Sequence, residues 1–147
     1  MDFERRRAYA VQLSAAAAEF MLQSKMYLQD YLSNFKFDPE QGDLAYRVGG
    51  RQPDIGPAYT AYWQLIFIAP KPVSDAARSV FELARKLPSL SNPSQQPKPW
   101  SRAAHDQSKA LNQQNRSELV AAITKALDST RVQPAGVHHL AEHERFA

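Results

Sequence analysis

Apolar residues return every three or four positions from about Asp2 to Phe37, and no Gly or Pro breaks the run. Ala10, Leu13, Ala17, Phe20, Ser24, Tyr27 and Tyr31 make one row, which Met21, Leu28 and Phe35 widen on one side. This spacing places them on one face of a helix, whereas a period of two would scatter them over both faces of a strand. Ala, Leu, Met, Gln, Glu, Lys and Arg fill most intervening positions, and each loses little freedom in a helix. Asp2 is suited to cap the start. Asn34, Asp38 and Pro39 mark the exit, because proline has no amide donor and disfavours helical geometry at the residue before it. The pattern predicts a helix over about 2–37, a rod of roughly 50 Å at about 1.5 Å per residue.

A second row, Val11, Ala15, Ala18, Leu22 and Met26, also steps by four or three and lies opposite the first. The middle of the helix is therefore apolar on two sides, with a narrow polar stripe of Gln12, Glu19, Gln23 and Asp30 between them. Such a helix either sits inside a bundle, touched on both sides by its own chain, or turns its second row toward another chain. Val11, Ala15, Ala18, Leu22 and Met26 are accordingly the candidate partner-binding residues.

Residues 38–57 form an irregular connection, punctuated by Gly42, Gly49, Gly50, Pro53, Gly56 and Pro57, with a brief extended piece over Leu44 to Val48. Residues 58–69 combine strand-favouring types with helical spacing at Ala58, Tyr62, Leu65 and Ala69. Helix is expected there, because a lone strand would need a sheet partner. Pro70 and Pro72 then stop one helix and start the next over 72–87, where Val73, Ala76, Val80, Leu83 and Leu87 trace an apolar seam. These two helices are expected to act as one Pro-kinked arm running antiparallel to the first. Residues 88–101 carry four prolines among Ser, Asn and Gln and read as an extended crossover anchored by Trp100. Ser101 caps a last helix over 102–128, with Leu111, Leu119, Val120, Ile123 and Leu127 as its stripe. Residues 132–147 are expected to be a flexible, His-containing tail. The fold class expected is all-α, an antiparallel bundle of three long arms forming a single domain over 1–131.

Composition narrows the chemistry. With 147 residues the chain can bury a core without metal or disulfide. Cysteine is absent, which removes disulfides, thiolate catalysis and Cys-based metal sites and suits a reducing compartment. The formal charge is only +3 and is spread along the chain apart from Arg5, Arg6 and Arg7. The apolar run from Leu65 to Pro70 is far below the roughly 20 residues a membrane-spanning helix needs. The start of the chain is not expected to be a secretory signal, because Asp2 and Glu4 spoil its basic region and the helical period runs through any cleavage point. A cytoplasmic location is the default.

Candidate catalytic chemistry is thin. His139, Glu142 and His143 spell the H-x-x-E-H pattern of inverted zincins, but too few residues follow to supply a further ligand or a cleft. His138, His139 and His143 are expected to be solvated side chains and not a metal site. Arg47 and Arg51 flank Gly49 and Gly50, yet no strand and helix frame that pair as a phosphate loop requires. The aromatics Tyr27, Tyr31, Phe35 and Phe37 are expected to meet Tyr59, Tyr62 and Trp63 at one end of the bundle, as core and not as a ligand pocket. No catalytic residue and no cofactor is expected.

Three motifs in order, Glu4-Arg-Arg-Arg-Ala-Tyr-Ala-Val-Gln-Leu, Ile68-Ala-Pro-Lys-Pro-Val-Ser-Asp-Ala-Ala and Asn115-Arg-Ser-Glu-Leu-Val, give the chain a further resemblance. It resembles a widespread type of small, functionally uncharacterised bacterial helical-bundle protein. The resemblance implies a bundle of long helices and no known activity. The function expected is that of a noncatalytic interaction or scaffold protein, self-associating as a homodimer through a coiled-coil-like contact of the first helix. The alternative is a nucleic-acid-associated protein using Arg5, Arg6, Arg7 and the basic last helix.

Overall fold

A computed structural model of the chain describes residues 2–48, 52–91 and 100–130. Four helices pack against one another: α1 (Phe3–Ser33), α2 (Gly56–Ile68), α3 (Lys71–Ser91) and α4 (Arg102–Ser129). Two short strands, β1 (Phe35–Phe37) and β2 (Ala45–Arg47), form an antiparallel pair between α1 and α2. The all-α bundle expected from the periodicity is the fold observed. Each long helix begins where its local chemistry directs: Asp2 accepts from the Arg5 amide at 2.8 Å, and Ser101 accepts from the Ala104 amide at 3.1 Å.

The first helix is shorter than the expected 2–37. It ends at Ser33, Asn34 leaves helical geometry, and Phe35 to Phe37 become β1, with Phe35 opposite Arg47 and Phe37 opposite Ala45. In a strand Phe35 and Phe37 share a face, and both rings then stand edge-on to His105 at 5.6 and 5.2 Å. Continued helix would have separated the two rings. Residues 38–48 turn through a single 3-10 turn at Pro39–Gln41 and through Gly42, whose φ of 76° suits glycine.

The second arm is also corrected. The joint at Pro70 and Pro72 is a reversal and not a kink, because Tyr62 of α2 lies flat on Phe81 of α3, centroids 4.5 Å apart and planes 7° apart. Ala69, forced out of helical geometry by Pro70, is extended at φ −75° and ψ 145°, and the Ser74 amide then donates to the Pro70 carbonyl to open α3. The three-arm expectation therefore becomes four helices running up, down, up and down. Tyr9 donates to the Ile68 carbonyl at one end of the α1–α2 pair while Phe20 meets Tyr62 mid-way, which fixes their opposite directions. His105 against Leu32 and Arg116 against Met21 fix α4 opposite to α1. Asn115 donates to the Ser79 carbonyl across α3 and α4. The helices neighbour one another in chain order around a ring, closed by α1 against α4, while α1 and α3 meet across its centre. Helix α3 also runs on through Pro88 to Ser91, past its expected end at residue 87. Ser91 there holds the Leu87 carbonyl at 2.8 Å and the Tyr31 hydroxyl at 2.6 Å.

The core contains the first row of α1, with Leu13, Ala17, Phe20, Ser24, Tyr27 and Tyr31 all buried. Against it pack Ala61, Tyr62 and Leu65, then Val73, Ala77, Val80, Ala84 and Leu87, and Leu119 of α4.

Candidate functional site

All five candidate residues of the second α1 row are exposed: Val11, Leu22 and Met26 at 64, 50 and 52 %, with Ala15 and Ala18 between them. They lie together on the outer face of α1, away from α2, α3 and α4. The remaining helices cover the first row and leave the second bare. Phe3, 56 % exposed, lies near the start of the same helix.

A second apolar face was not anticipated. Helix α2 carries no charged residue, and its Tyr59, Trp63 and Phe67, each one turn from the last, are 52, 52 and 90 % exposed. Tyr59 and Trp63 meet edge to face at 6.2 Å, and Tyr59 leans on Phe81 at 5.8 Å. The signal was present in the sequence, since in α2 only Thr60 and Gln64 are polar, and a helix with so little polar surface must either be buried on nearly all sides or bare on one. Its short length hid the choice.

Tyr27, Tyr31, Phe35 and Phe37 stand at the end of the bundle where α2 begins, but among the described residues their ring contacts are not with Tyr59, Tyr62 or Trp63. Phe35 packs on Trp100 at 4.8 Å and Tyr31 packs on Phe35 at 5.9 Å. The backbone ties this end together: the Ala45 amide donates to the Trp100 carbonyl, and the Arg102 amide donates to that of Asp43. His105, also buried, donates through Nε2 to the Leu32 carbonyl at 2.5 Å, an acceptor left over at the end of α1. Its Nδ1 is buried without a partner, 3.6 Å from the Asp106 carboxylate. The Arg47 guanidinium stands over the Tyr31 ring at 4.2 Å, its two terminal nitrogens buried and accepted by no oxygen. These groups brace a packed end. Burial, with the neighbouring Tyr31 hydroxyl, also pushes the Tyr27 hydroxyl above the usual tyrosine range.

Polar side chains do converge between α1 and α4. Lys25, Gln29 and Ser33 on one side and Lys109, Asn112 and Arg116 on the other line a groove of about 580 Å³, with Asp30 at its rim and Leu32 beneath. Arg116 is half-buried there and donates to the Met21 carbonyl at 3.1 Å and to Ser24 Oγ at 3.2 Å. Burial pushes its pKa down.

Among the described residues no cluster of His, Cys, Asp or Glu could hold a metal, and no helix is long and apolar enough to cross a membrane. His138, His139, His143, Gly49, Gly50 and Arg51 lie outside the described residues, as do most of the 88–101 crossover and the 132–147 tail. Arg5 spends its charge locally, 3.7 Å from Asp2. No family model, curated protein or solved structure matches the chain.

Proposed function

We propose that the chain is a noncatalytic interaction module that pairs with a second copy of itself through the outer face of α1. The observation that carries this reading is the bare row Val11, Ala15, Ala18, Leu22 and Met26 on a helix whose opposite face is buried. A contiguous apolar strip of this kind is costly to leave in water. The row suits a two-fold contact, in which the same surface serves both copies. Turned end for end about a point between Ala18 and Glu19, the Leu22 side chain of one copy falls opposite Ala15 of the other, and Val11 falls opposite Met26. Leu22 then fills the hollow at Ala15, Val11 packs on Met26, and Ala15 and Ala18 let the two backbones approach, as knobs enter holes in a coiled coil.

The row spans roughly 22 Å of helix, so the contact belongs with the small interfaces and the dimer is concentration-dependent. The absence of cysteine suits such a protein to the reducing cytoplasm.

Because the chain has no cysteine, a single introduced thiol tests the geometry. Ala18→Cys, near the two-fold, is expected to form a disulfide-linked dimer under mild oxidation much faster than Gln23→Cys on the polar stripe. Equal rates for the two variants would contradict the proposed contact.

A further inference from the structure

Independently of any self-association, the groove between α1 and α4 holds positive charge that the fold does not neutralise. Lys25 comes from α1, and Lys109 and Arg116, two turns apart, come from one face of α4. Among the described residues none of the three lies within ion-pairing distance of a carboxylate. Arg116 is the informative member. Its guanidinium is half-buried, its two acceptors are a neutral carbonyl and a hydroxyl, and burial pushes its pKa down. A guanidinium stays protonated in such surroundings, so the cost of desolvating it is met by hydrogen bonds alone. An anion entering beside it recovers part of that cost.

The neighbours of Arg116 have matching chemistry. Asn112, one turn away, has its amide oxygen buried with no donor facing it. Rotation of that amide replaces the unpartnered acceptor with N–H donors. Gln29, Gln113 and Ser33 add neutral donors around the rim, and the lone carboxylate of the lining, Asp30, leaves a surplus of positive charge. Ammonium, guanidinium, amide and hydroxyl donors around one hollow are a set that binds the several oxygens of a phosphate better than the flat pair of a carboxylate.

We propose that the α1–α4 groove seats a phosphate group, with Arg116, Lys109 and Lys25 supplying its charge and Asn112 a neutral donor. The phosphate belongs either to a small phosphorylated molecule or to a nucleic-acid backbone.

The test is calorimetric titration of the full chain at low salt with sodium pyrophosphate and, separately, with a short single-stranded oligonucleotide. The variants are Lys25→Glu/Lys109→Glu, both exposed and outside the core, and Arg116→Lys, which keeps the charge but loses the forked donors. At least one probe is expected to bind, and the Lys25→Glu/Lys109→Glu variant to weaken it by about tenfold or more while melting like the parent. Binding of pyrophosphate alone identifies a small phosphorylated ligand. Binding of the oligonucleotide alone, falling steeply with salt, identifies a backbone. If neither probe binds, or if binding survives Lys25→Glu/Lys109→Glu and Arg116→Lys unchanged, the inference is overturned. Repeating the titration in a Leu22→Asp/Met26→Asp background separates this outcome from that of self-association, since neither residue lines the groove.

Discussion

Tyr62 lies ring on ring with Phe81, 4.5 Å between centroids and 7° between planes, and this stack holds α2 against α3 across the proline turn. Both side chains are at least nine-tenths buried. Phe81→Ala is expected to cost about 3–5 kcal/mol in urea unfolding, as truncations of buried aromatics do. A double-mutant cycle with Tyr62→Ala should leave a coupling of about 1 kcal/mol, the usual worth of an aromatic pair beyond its buried area. No coupling would mean that α2 and α3 are not paired as described.

The reversal marks where the sequence is legible and where it is not. The core row of α1 could be read from its period, because Leu13, Phe20, Tyr27 and their neighbours recur every three or four positions along one face. Pro70 and Pro72 announce a break, but a break carries no angle. Direction came from partners far along the chain, Tyr62 with Phe81 and Tyr9 with Ile68, which local pattern does not show. Phe35 and Phe37 misled for a related reason, since β1 exists only because residues 45–47 return to pair with it. At the surface the second α1 row was visible as apolar, and only the packed structure left it bare. The groove around Arg116 was not visible at all, because Lys25 and Arg116 are brought together by the α1–α4 contact.

Ser24 is a polar residue in the middle of the core row. Its hydroxyl donates to the Phe20 carbonyl at 2.6 Å and accepts from Arg116. Ser24→Ala removes a buried acceptor and is expected to destabilise by about 1–3 kcal/mol, whereas Ser14→Ala on the exposed face should change stability by less than about 0.5 kcal/mol. Chemical denaturation of the pair checks both.

Alkaline stability should report Tyr27. Its folded pKa lies above the ordinary 10.0 because burial disfavours the phenolate. A raised pKa means that the folded chain holds this proton more tightly than the unfolded chain, so the contribution is complete below the unfolded value and lost as pH rises through the folded one. Unfolding free energy should therefore decline above about pH 10, and Tyr27→Phe should flatten that decline while leaving neutral-pH behaviour close to the parent. An unchanged alkaline limb in Tyr27→Phe would place the loss elsewhere.

Phe67 offers a contrast with the core aromatics. At 90 % exposure it supports little of the fold, and Phe67→Ser should shift stability by no more than about 0.5 kcal/mol. A large loss on thermal unfolding would mean that its surroundings are more covered than described.

The central claim is that the outer face of α1 is an interface between copies, and sedimentation velocity across a wide concentration range tests it most directly. The parent chain is expected to shift from its 16.6 kDa monomer toward a dimer as concentration rises into the micromolar range, while Leu22→Asp/Met26→Asp stays folded and monomeric throughout. A parent chain that remains strictly monomeric, or a dimer that survives both substitutions, would contradict it.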